Sequence, residues 1–251
     1  MAQDLFDLTG KIAVVTGGSR GLGREMVLAF ADHGADVVIA SRKLDNCETV
    51  VDEVRAKGRR ALAVAYHAAS WSDADHLAET AYAEFGRVDI LVNNAGMSPL
   101  YPSLDAITEE LFDKVIGVNL KGPFRLSAVV GSRMHVGDGG CIINVSSTAS
   151  MVPSPNEAPY GAAKAAINNL TRSLAAAFGP KVRVNCIVPG PFLTDISKAW
   201  DMDSFNRHTA PRLAMGRAGE PHEIVGAALY LASNASSYTT GALLNVDRLV
   251  H

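Results

Sequence analysis

The chain has 251 residues, 48% of them hydrophobic and 20% charged, so it can bury a sizeable core and is not a disordered polymer. Lys and Arg total 23 against 26 Asp and Glu, and the formal net charge of −3 excludes the broad basic field that holds a nucleic-acid backbone. The longest charge-free stretch, 226–246, is interrupted by Ser, Thr and Asn residues and would span a bilayer poorly.

Short β-branched runs alternate with longer helical patterns along the whole chain. The predicted strands are 12–16, 36–40, 61–66, 89–93, 141–146, 182–188 and 243–247, and the predicted helices are 22–33, 44–57, 72–85, 108–133, 158–178 and 222–232. The strands are continuous apolar runs, which is typical of strands covered on both faces. We therefore predict an α/β fold in a single domain, 1–251, with a doubly wound, Rossmann-like parallel sheet of about seven strands and helices on both faces. The long irregular stretch 190–215 is expected to form a lid.

A glycine-rich turn follows the first predicted strand and opens directly into a helix. Its sequence is Thr16-Gly17-Gly18-Ser19-Arg20-Gly21-Leu22-Gly23. Glycines let a backbone approach a diphosphate closely, and the N–H groups and dipole of a helix N-terminus attract the anion. A doubly wound sheet binds nucleotides at this junction. We therefore predict cofactor contacts at Gly17, Ser19, Arg20, Gly21, Leu22 and Gly23.

The end of the second predicted strand indicates which dinucleotide is bound. A free ribose 2′-hydroxyl is commonly held by an acidic residue there, but this strand ends in Ser41, Arg42 and Lys43. A carboxylate would repel a 2′-phosphate, whereas Arg42 and Arg20 can bind one through charge-assisted hydrogen bonds. These residues predict NADP(H) as the cofactor.

Tyr160 and Lys164 lie four residues apart in a helical pattern, so both side chains project from one face. A neighbouring cation favours the phenolate, and we expect Lys164 to lower the pKa of Tyr160 and suit it to general acid–base catalysis. Ser147 follows the fifth predicted strand and Asn94-Ala95-Gly96 follow the fourth, both at the edge where ligands bind in such sheets.

Taken in chain order, these motifs resemble the short-chain dehydrogenase/reductase family in its compact single-domain branch. The matching pieces are Thr16 to Gly23, Asn93 to Gly96, Asn119, Ser147, Tyr160 with Lys164, Pro189-Gly190 with Thr194, Gly216 to Pro221, and Asn245 to Asp247. The resemblance implies hydride transfer between NADP(H) and a carbonyl or secondary alcohol. The main expectation is that the protein is an NADPH-dependent ketone reductase. The partners would be a small-molecule substrate and further copies of the chain, in a homodimer or homotetramer.

The resemblance also implies a role for each matched residue. Tyr160 would be the proton donor to the carbonyl oxygen and Ser147 would hydrogen-bond that oxygen. Lys164 would hold the nicotinamide ribose, and Asn119 would hold a water that links Lys164 to solvent. The remaining cofactor contacts would come from Asn94, Ala95, Gly96, Pro189, Gly190 and Thr194, and the substrate wall from Met97, Ser98, Met151, Pro153, Phe192 and Trp200. The apolar weight of that wall favours a substrate with hydrophobic surface.

Two positions depart from the family pattern. His67 stands where the family has an Asp near adenine, so either an adenine contact or a structural histidine is expected there. Arg248 to His251 replace the usual glycines after Asp247, which puts the usual contribution of the C-terminus in doubt.

Two other functions stay open. A 3-oxoacyl-[acyl-carrier-protein] reductase would tend to have a basic residue nine positions before Ser147, where this chain has Asp138. A non-catalytic NADP-binding sensor or scaffold would be expected to have lost Tyr160 or Lys164.

The cysteines and histidines predict neither a disulfide nor a metal site. Cys47, Cys141 and Cys186 lie far apart, and the histidines lack metal-ligand spacing. With no signal-peptide pattern in residues 1–10, we expect a cytoplasmic protein without metal, membrane or nucleic-acid partners.

Overall fold

A computed structural model describes residues 4–195, 197 and 200–247 of the chain. The strands are β1 (Ile12–Thr16), β2 (Asp36–Ser41), β3 (Ala61–Ala65), β4 (Ile90–Asn93), β5 (Gly140–Val145), β6 (Val182–Pro189) and β7 (Leu243–Val246). The helices are α1 (Gly21–Asp32), α2 (Leu44–Ala56), α3 (Trp71–Phe85), α4 (Glu109–Ile116), α5 (Gly122–Val136), α6 (Ala158–Phe178), α7 (Met202–Ser204) and α8 (Val225–Ala232). The departure from the family pattern noted at Arg248 to His251 lies outside the described residues.

The strands pair in parallel in the order β3-β2-β1-β4-β5-β6-β7. β1 therefore lies inside the sheet. β2 and β3 extend the sheet on one side of β1, and β4 to β7 extend it on the other side. The order reverses between β1 and β4, where Val15 lies opposite Val92. A doubly wound parallel sheet of this kind confirms the predicted fold class and places its ligand-binding crevice at the carboxyl ends of β1 and β4.

The sheet is covered on both faces, which is why its strands read as unbroken apolar runs. Side chains of α1, α2 and α8 pack in one buried cluster, which includes Ala13 and Val15 of β1. Side chains of α3, α5 and α6 pack in a second cluster, which includes Val14. Successive residues of one strand therefore enter opposite cores, as the pleat requires.

Two predicted elements differ from the structure. The helix predicted over 108–133 is α4 and α5 joined by a π-helical turn, Gly117–Lys121. The irregular stretch predicted over 190–215 contains α7, a π turn at Phe205–Thr209 and a 3₁₀ turn at Ala210–Arg212. In the part of the chain that the structure describes, no helix is long and apolar enough to cross a membrane.

Candidate active site

Thr16, the last residue of β1, ties the glycine turn to the loop that follows β4. Its hydroxyl donates to Val92 O (3.2 Å) and accepts from the backbone N–H groups of Asn94 (3.0 Å) and Ala95 (3.1 Å). The Asn94 side-chain amide donates back to Thr16 O (3.0 Å) and Gly17 O (3.3 Å). These bonds hold the two loops at the switch point as one unit.

The glycines of this turn are required by close packing. Gly17 has a φ of 66°, in the left-handed region, and a Cβ there would lie 2.8 Å from Asn94 Nδ2. A Cβ at Gly23 would lie 2.2 Å from Gly17 O. Arg20 is the N-cap of α1, and within the described chain its side chain makes no capping hydrogen bond. The first N–H groups of α1 thus face the crevice without a side-chain cap, which fits the diphosphate of a dinucleotide.

The predicted 2′-phosphate site lies at the end of β2. Ser41 is partly buried, with its Oγ 3.1 Å from Cys47 Sγ, while Arg42 and Lys43 are exposed. Arg20 is also exposed and pairs with Asp195, NH1 to Oδ2 3.5 Å. His67 lies exposed after β3, and its backbone N–H donates to Asp73 Oδ2 (2.9 Å). In the described part of the chain, two exposed cations, Arg42 and Lys43, follow Ser41 at the position where an acidic residue commonly holds a ribose 2′-hydroxyl.

Tyr160 and Lys164 lie on one face of α6, beside the loop that follows β5. Lys164 is buried, its Nζ donates to Val145 O (2.8 Å), and it lies 5.7 Å from the centre of the Tyr160 ring. Ser147 hydrogen-bonds the Tyr160 phenol. Ser146, which the sequence analysis did not single out, donates its hydroxyl to Lys164 O (3.1 Å). The structure thus gathers Ser147, Tyr160 and Lys164 at one point of the sheet edge.

The expectation that Lys164 lowers the pKa of Tyr160 is not met in this structure. Burial raises the pKa of the phenol to about 12, the hydrogen bond with Ser147 acts in the opposite direction, and the Glu157 carboxylate raises it further. Burial also lowers the pKa of Lys164, to about 8. Desolvation penalises the charged form of each group, so it shifts both pKa values towards the neutral form. At pH 7 the Tyr160 phenol is protonated, and Lys164 is still an ammonium group.

Asn119 joins this group from the π turn between α4 and α5. Its side-chain amide donates to Met97 O (2.8 Å) and Val115 O (2.9 Å), and its Oδ1 accepts from Met97 N (3.2 Å). A Cβ at Gly96 would lie 3.1 Å from Asn119 Oδ1 and 3.5 Å from Lys164 Nζ. The fully buried Asn119 therefore lies next to the lysine and fixes the backbone of Met97.

Replacing the buried Lys164 by an apolar residue tests how much its charge destabilises the folded protein. The pKa of Lys164 falls from 10.5 to about 8 on folding, so burying the ammonium costs about 3 kcal/mol at pH 7, where the side chain is charged in both states. As pH rises through about 8 the folded protein loses this proton first, and the cost fades by pH 10.5. We expect Lys164→Met to unfold at a higher denaturant concentration than wild type at pH 7, although Val145 O loses its donor.

Chemical denaturation of both proteins at pH 7 and pH 9.5 measures this difference. The advantage of Lys164→Met should shrink at the higher pH, because wild type is then relieved of the charge. Suppose instead that Lys164→Met is less stable than wild type at pH 7 and that the difference in unfolding free energy is the same at pH 9.5. That result would contradict the predicted cost of burying the ammonium group.

The residues predicted to line the substrate do not all face the cleft. Phe192 is buried in the core cluster beneath the sheet, forms a bridge with Gly219 and packs against it, which removes it from the candidate substrate surface. Met151 and Pro153 are exposed in the loop between β5 and α6. Trp200 stacks on Phe205, with ring centroids 5.2 Å apart. An aromatic residue in a loop beside Pro and Gly is expected to be exposed, whereas the core cluster and the contact with Gly219 bury Phe192.

The remaining predicted cofactor contacts lie close to the glycine turn or at the β6 end. A Cβ at Gly21 would lie 3.5 Å from Thr194 Cγ2. The backbone N–H of Gly190, which follows Pro189 at the end of β6, donates to Val246 O (2.9 Å). The carboxyl ends of β1, β4, β5 and β6 therefore meet around one crevice, with the glycine turn on one side and Tyr160 on the other.

Comparison with known proteins identifies this arrangement. The family model described as enoyl-(acyl carrier protein) reductase matches residues 17–250. A human protein, dehydrogenase/reductase SDR family member 4, is 35% identical over 236 residues, covering 93% of this chain and 85% of the relative. The chain belongs to the short-chain dehydrogenase/reductase family. It is an oxidoreductase of that family.

Other relatives within the short-chain dehydrogenase/reductase family act on different substrates. L-rhamnose 1-dehydrogenase (NAD(P)(+)) of Azotobacter vinelandii is 38% identical over 248 residues, with 96% of each chain covered. A solved structure of 7α-hydroxysteroid dehydrogenase complexed with NADH and 7-oxo glycochenodeoxycholic acid matches with a TM-score of 0.93 and 35% identity, covering 98% of this chain and 96% of that one. These two relatives thus both use a nicotinamide cofactor, while one is named for a sugar substrate and the other for a steroid.

Proposed function

We propose that this protein is an NADPH-dependent ketone reductase. The observation that carries the proposal is the meeting of Ser147, Tyr160 and Lys164 at the sheet edge, across the crevice from the glycine turn. NADPH, when bound, would supply the hydride that adds to the carbonyl carbon. Tyr160 donates its phenolic proton to the carbonyl oxygen, and the Ser147 hydroxyl hydrogen-bonds that oxygen as negative charge develops. The product is a secondary alcohol.

The other residues hold the reactants and restore the proton. Lys164 would hold the ribose hydroxyls of the cofactor through its ammonium group, which would also stabilise the Tyr160 phenolate once the proton has left. Asn119 fixes the backbone of Met97 and would hold a water that connects Lys164 with solvent. The N–H groups at the N-terminus of α1, between Gly17 and Gly23, would hold the diphosphate. The rest of the dinucleotide site would be lined by Asn94, Ala95, Gly96, Pro189, Gly190 and Thr194.

Absorbance of NADPH at 340 nm, followed against a panel of ketones, aldehydes and diketones, tests the activity. Turnover of at least one ketone is the expected result. Tight cofactor binding with no turnover across a broad panel would instead favour a non-catalytic sensor. Reduction of 3-oxoacyl chains on acyl carrier protein is the other alternative. It lacks support from position 138, where an acidic residue pairs with Arg87 (3.6 Å) and would repel an acidic carrier.

We infer a preference for NADP(H) over NAD(H) from the exposed cations at the β2 end. Arg42→Ala should weaken NADPH binding by about tenfold or more, because a charge-assisted hydrogen bond to the 2′-phosphate is lost, and should leave NADH binding within about twofold. Fluorescence titration with each cofactor measures both affinities.

Arg55→Ala is the matched control for this substitution. Arg55 is an exposed arginine of α2 that pairs with Asp52 (3.7 Å). We expect it to change neither affinity. Equal losses of NADPH and NADH affinity in Arg42→Ala would refute the preference.

We further propose that residues 1–251 form one domain and that 190–215 covers the substrate. The ion pair from Arg20 to Asp195 and the closeness of Gly21 to Thr194 support such a lid, because they join that segment to the cofactor turn. A small-molecule substrate and a homodimer or homotetramer complete the proposal. Sedimentation velocity of the purified protein measures the oligomeric state.

A further inference from the structure

Glu157 is a carboxylate beside the catalytic tyrosine that the mechanism above does not use. It immediately precedes α6, three residues before Tyr160, and is partly buried. It lines a crevice together with Tyr160, Pro99, Tyr101, Leu111 and Pro159. Apart from the two phenols, the other walls of that crevice are apolar. A carboxylate in such a place carries a desolvation cost unless it is paired.

No cation within the described residues pairs with Glu157, and its side chain does not cap α6 there. Ser98, in the loop after β4, hydrogen-bonds the Glu157 carboxylate. A carboxylate has about four lone-pair positions, so one hydroxyl donor leaves most of its accepting capacity open. Burial accordingly raises the pKa of Glu157, and Ser98 offsets part of the rise.

The loops on both sides hold Glu157 in place. Tyr101 donates its hydroxyl to Pro155 O (2.7 Å) and accepts from the backbone N–H of Ala158 (2.8 Å). These two bonds bracket Glu157 and fasten the loop after β4 to the start of α6. Because the carboxylate also raises the pKa of Tyr160, it lies within electrostatic range of the phenol that faces the carbonyl. The Glu157 carboxylate, a hydrogen-bond acceptor, is thus held at a fixed position beside the Tyr160 phenol.

We propose that Glu157 is a specificity-determining residue that accepts a hydrogen bond from an O–H or N–H group of the substrate. The enzyme would then prefer ketones that carry a hydroxyl or ammonium group within a few bonds of the carbonyl over ketones of the same shape without one. This inference rests on the proposed reductase activity. The apolar loop residues predict a hydrophobic substrate, and the present inference differs from that prediction. Here the hydrogen bond to Glu157 decides which ketones are preferred.

A ring series of ketones tests the proposal with the purified enzyme and NADPH. Cyclohexanone has no donor, 2-hydroxycyclohexanone and 4-hydroxycyclohexanone have a hydroxyl, and N-methyl-4-piperidone has an ammonium N–H at neutral pH. We expect wild type to show a kcat/KM at least about tenfold higher for one or more donor-bearing ketones than for cyclohexanone.

Two variants separate the charge from the acceptor. Glu157→Leu should lower kcat/KM for the preferred ketone by about tenfold or more, chiefly through KM, and leave cyclohexanone within about twofold. Glu157→Gln retains an acceptor but no charge, so a hydroxyketone should keep part of its advantage and the piperidone should lose nearly all of it. Glu110→Gln, the same change at an exposed position of α4, is the matched control and should resemble wild type.

The outcomes distinguish this inference from the proposed activity. If all four ketones are reduced with no preference, or if Glu157→Leu slows all of them equally while NADPH affinity and thermal stability match wild type, Glu157 is not a specificity residue and the reductase activity stands. If none of the four is reduced although the enzyme reduces another ketone of the panel, this inference is overturned and the reductase activity stands. If NADPH binds and no ketone of the panel is reduced, the proposed ketone reduction and this inference are both overturned.

Discussion

Tyr160→Phe should lower kcat for ketone reduction by about 10²–10⁴-fold while leaving NADPH affinity within about twofold of wild type. The substitution removes the phenolic O–H, which is the proposed proton donor, and keeps the ring that packs beside Lys164. It also removes the partner of the Ser147 hydroxyl. Steady-state kinetics with a ketone from the panel and fluorescence titration with NADPH measure the two quantities.

Tyr238→Phe is the matched control, since Tyr238 is fully exposed and the chemical change is the same. It should retain wild-type kinetics. Because burial holds the pKa of Tyr160 well above neutral, wild type keeps the phenol protonated across the physiological range, and proton donation should not fail as pH rises from 6 to 8. A fully active Tyr160→Phe enzyme would show that another group supplies the proton.

Gly23→Ala should destabilise the protein and abolish NADPH binding together. Its Cβ would lie 2.2 Å from Gly17 O and 2.5 Å from Asn94 Nδ2, so the backbone of the glycine turn and the loop after β4 must both shift. Overpacking of this kind costs roughly 2–3 kcal/mol, which lowers the melting temperature of a protein of this size by roughly 5–10 °C. Thermal unfolding followed by circular dichroism, with and without NADPH, measures the loss.

Gly226→Ala is the control for the backbone effect of adding a methyl group to a helix. Gly226 is an exposed residue of α8, and a Cβ there meets no atom within 4 Å. Alanine should raise stability by about 0.5–1 kcal/mol at such a position and leave cofactor binding unchanged. If Gly23→Ala also melts at or above the wild-type temperature, the close packing described for the turn is incorrect.

Local sequence patterns were sufficient to predict the elements that surround the cofactor turn. The bounds predicted for β1 and α6 match the structure. A continuous apolar run and a long helical pattern each show clearly where the element begins and ends. The π turn at Gly117–Lys121 could not be predicted in this way. It accommodates Asn119, whose bonds to Met97 depend on a loop from another part of the chain.

The properties of the site that were missed all depend on tertiary burial. The Tyr160–Lys164 spacing predicts that the two side chains are neighbours, which the structure places 5.7 Å apart, yet the spacing alone cannot show that both are desolvated. The sequence shows Glu157 three residues before Tyr160, but an acidic residue directly before a helix is usually interpreted as a capping residue. Its lack of a capping bond within the described chain emerges only from the fold.

The hydroxyl of Tyr101 also influences how the catalytic helix frays. The first N–H groups of any helix lack intrahelical partners, and the N–H of Ala158, the first residue of α6, is satisfied by Tyr101 rather than by a neighbouring side chain. Tyr160 is the third residue of that helix, so it lies in the turn that opens most readily. Local unfolding of the loop after β4, which carries Tyr101, and of the first turn of α6, which carries Tyr160, should therefore occur as one event with a shared amide hydrogen-exchange rate.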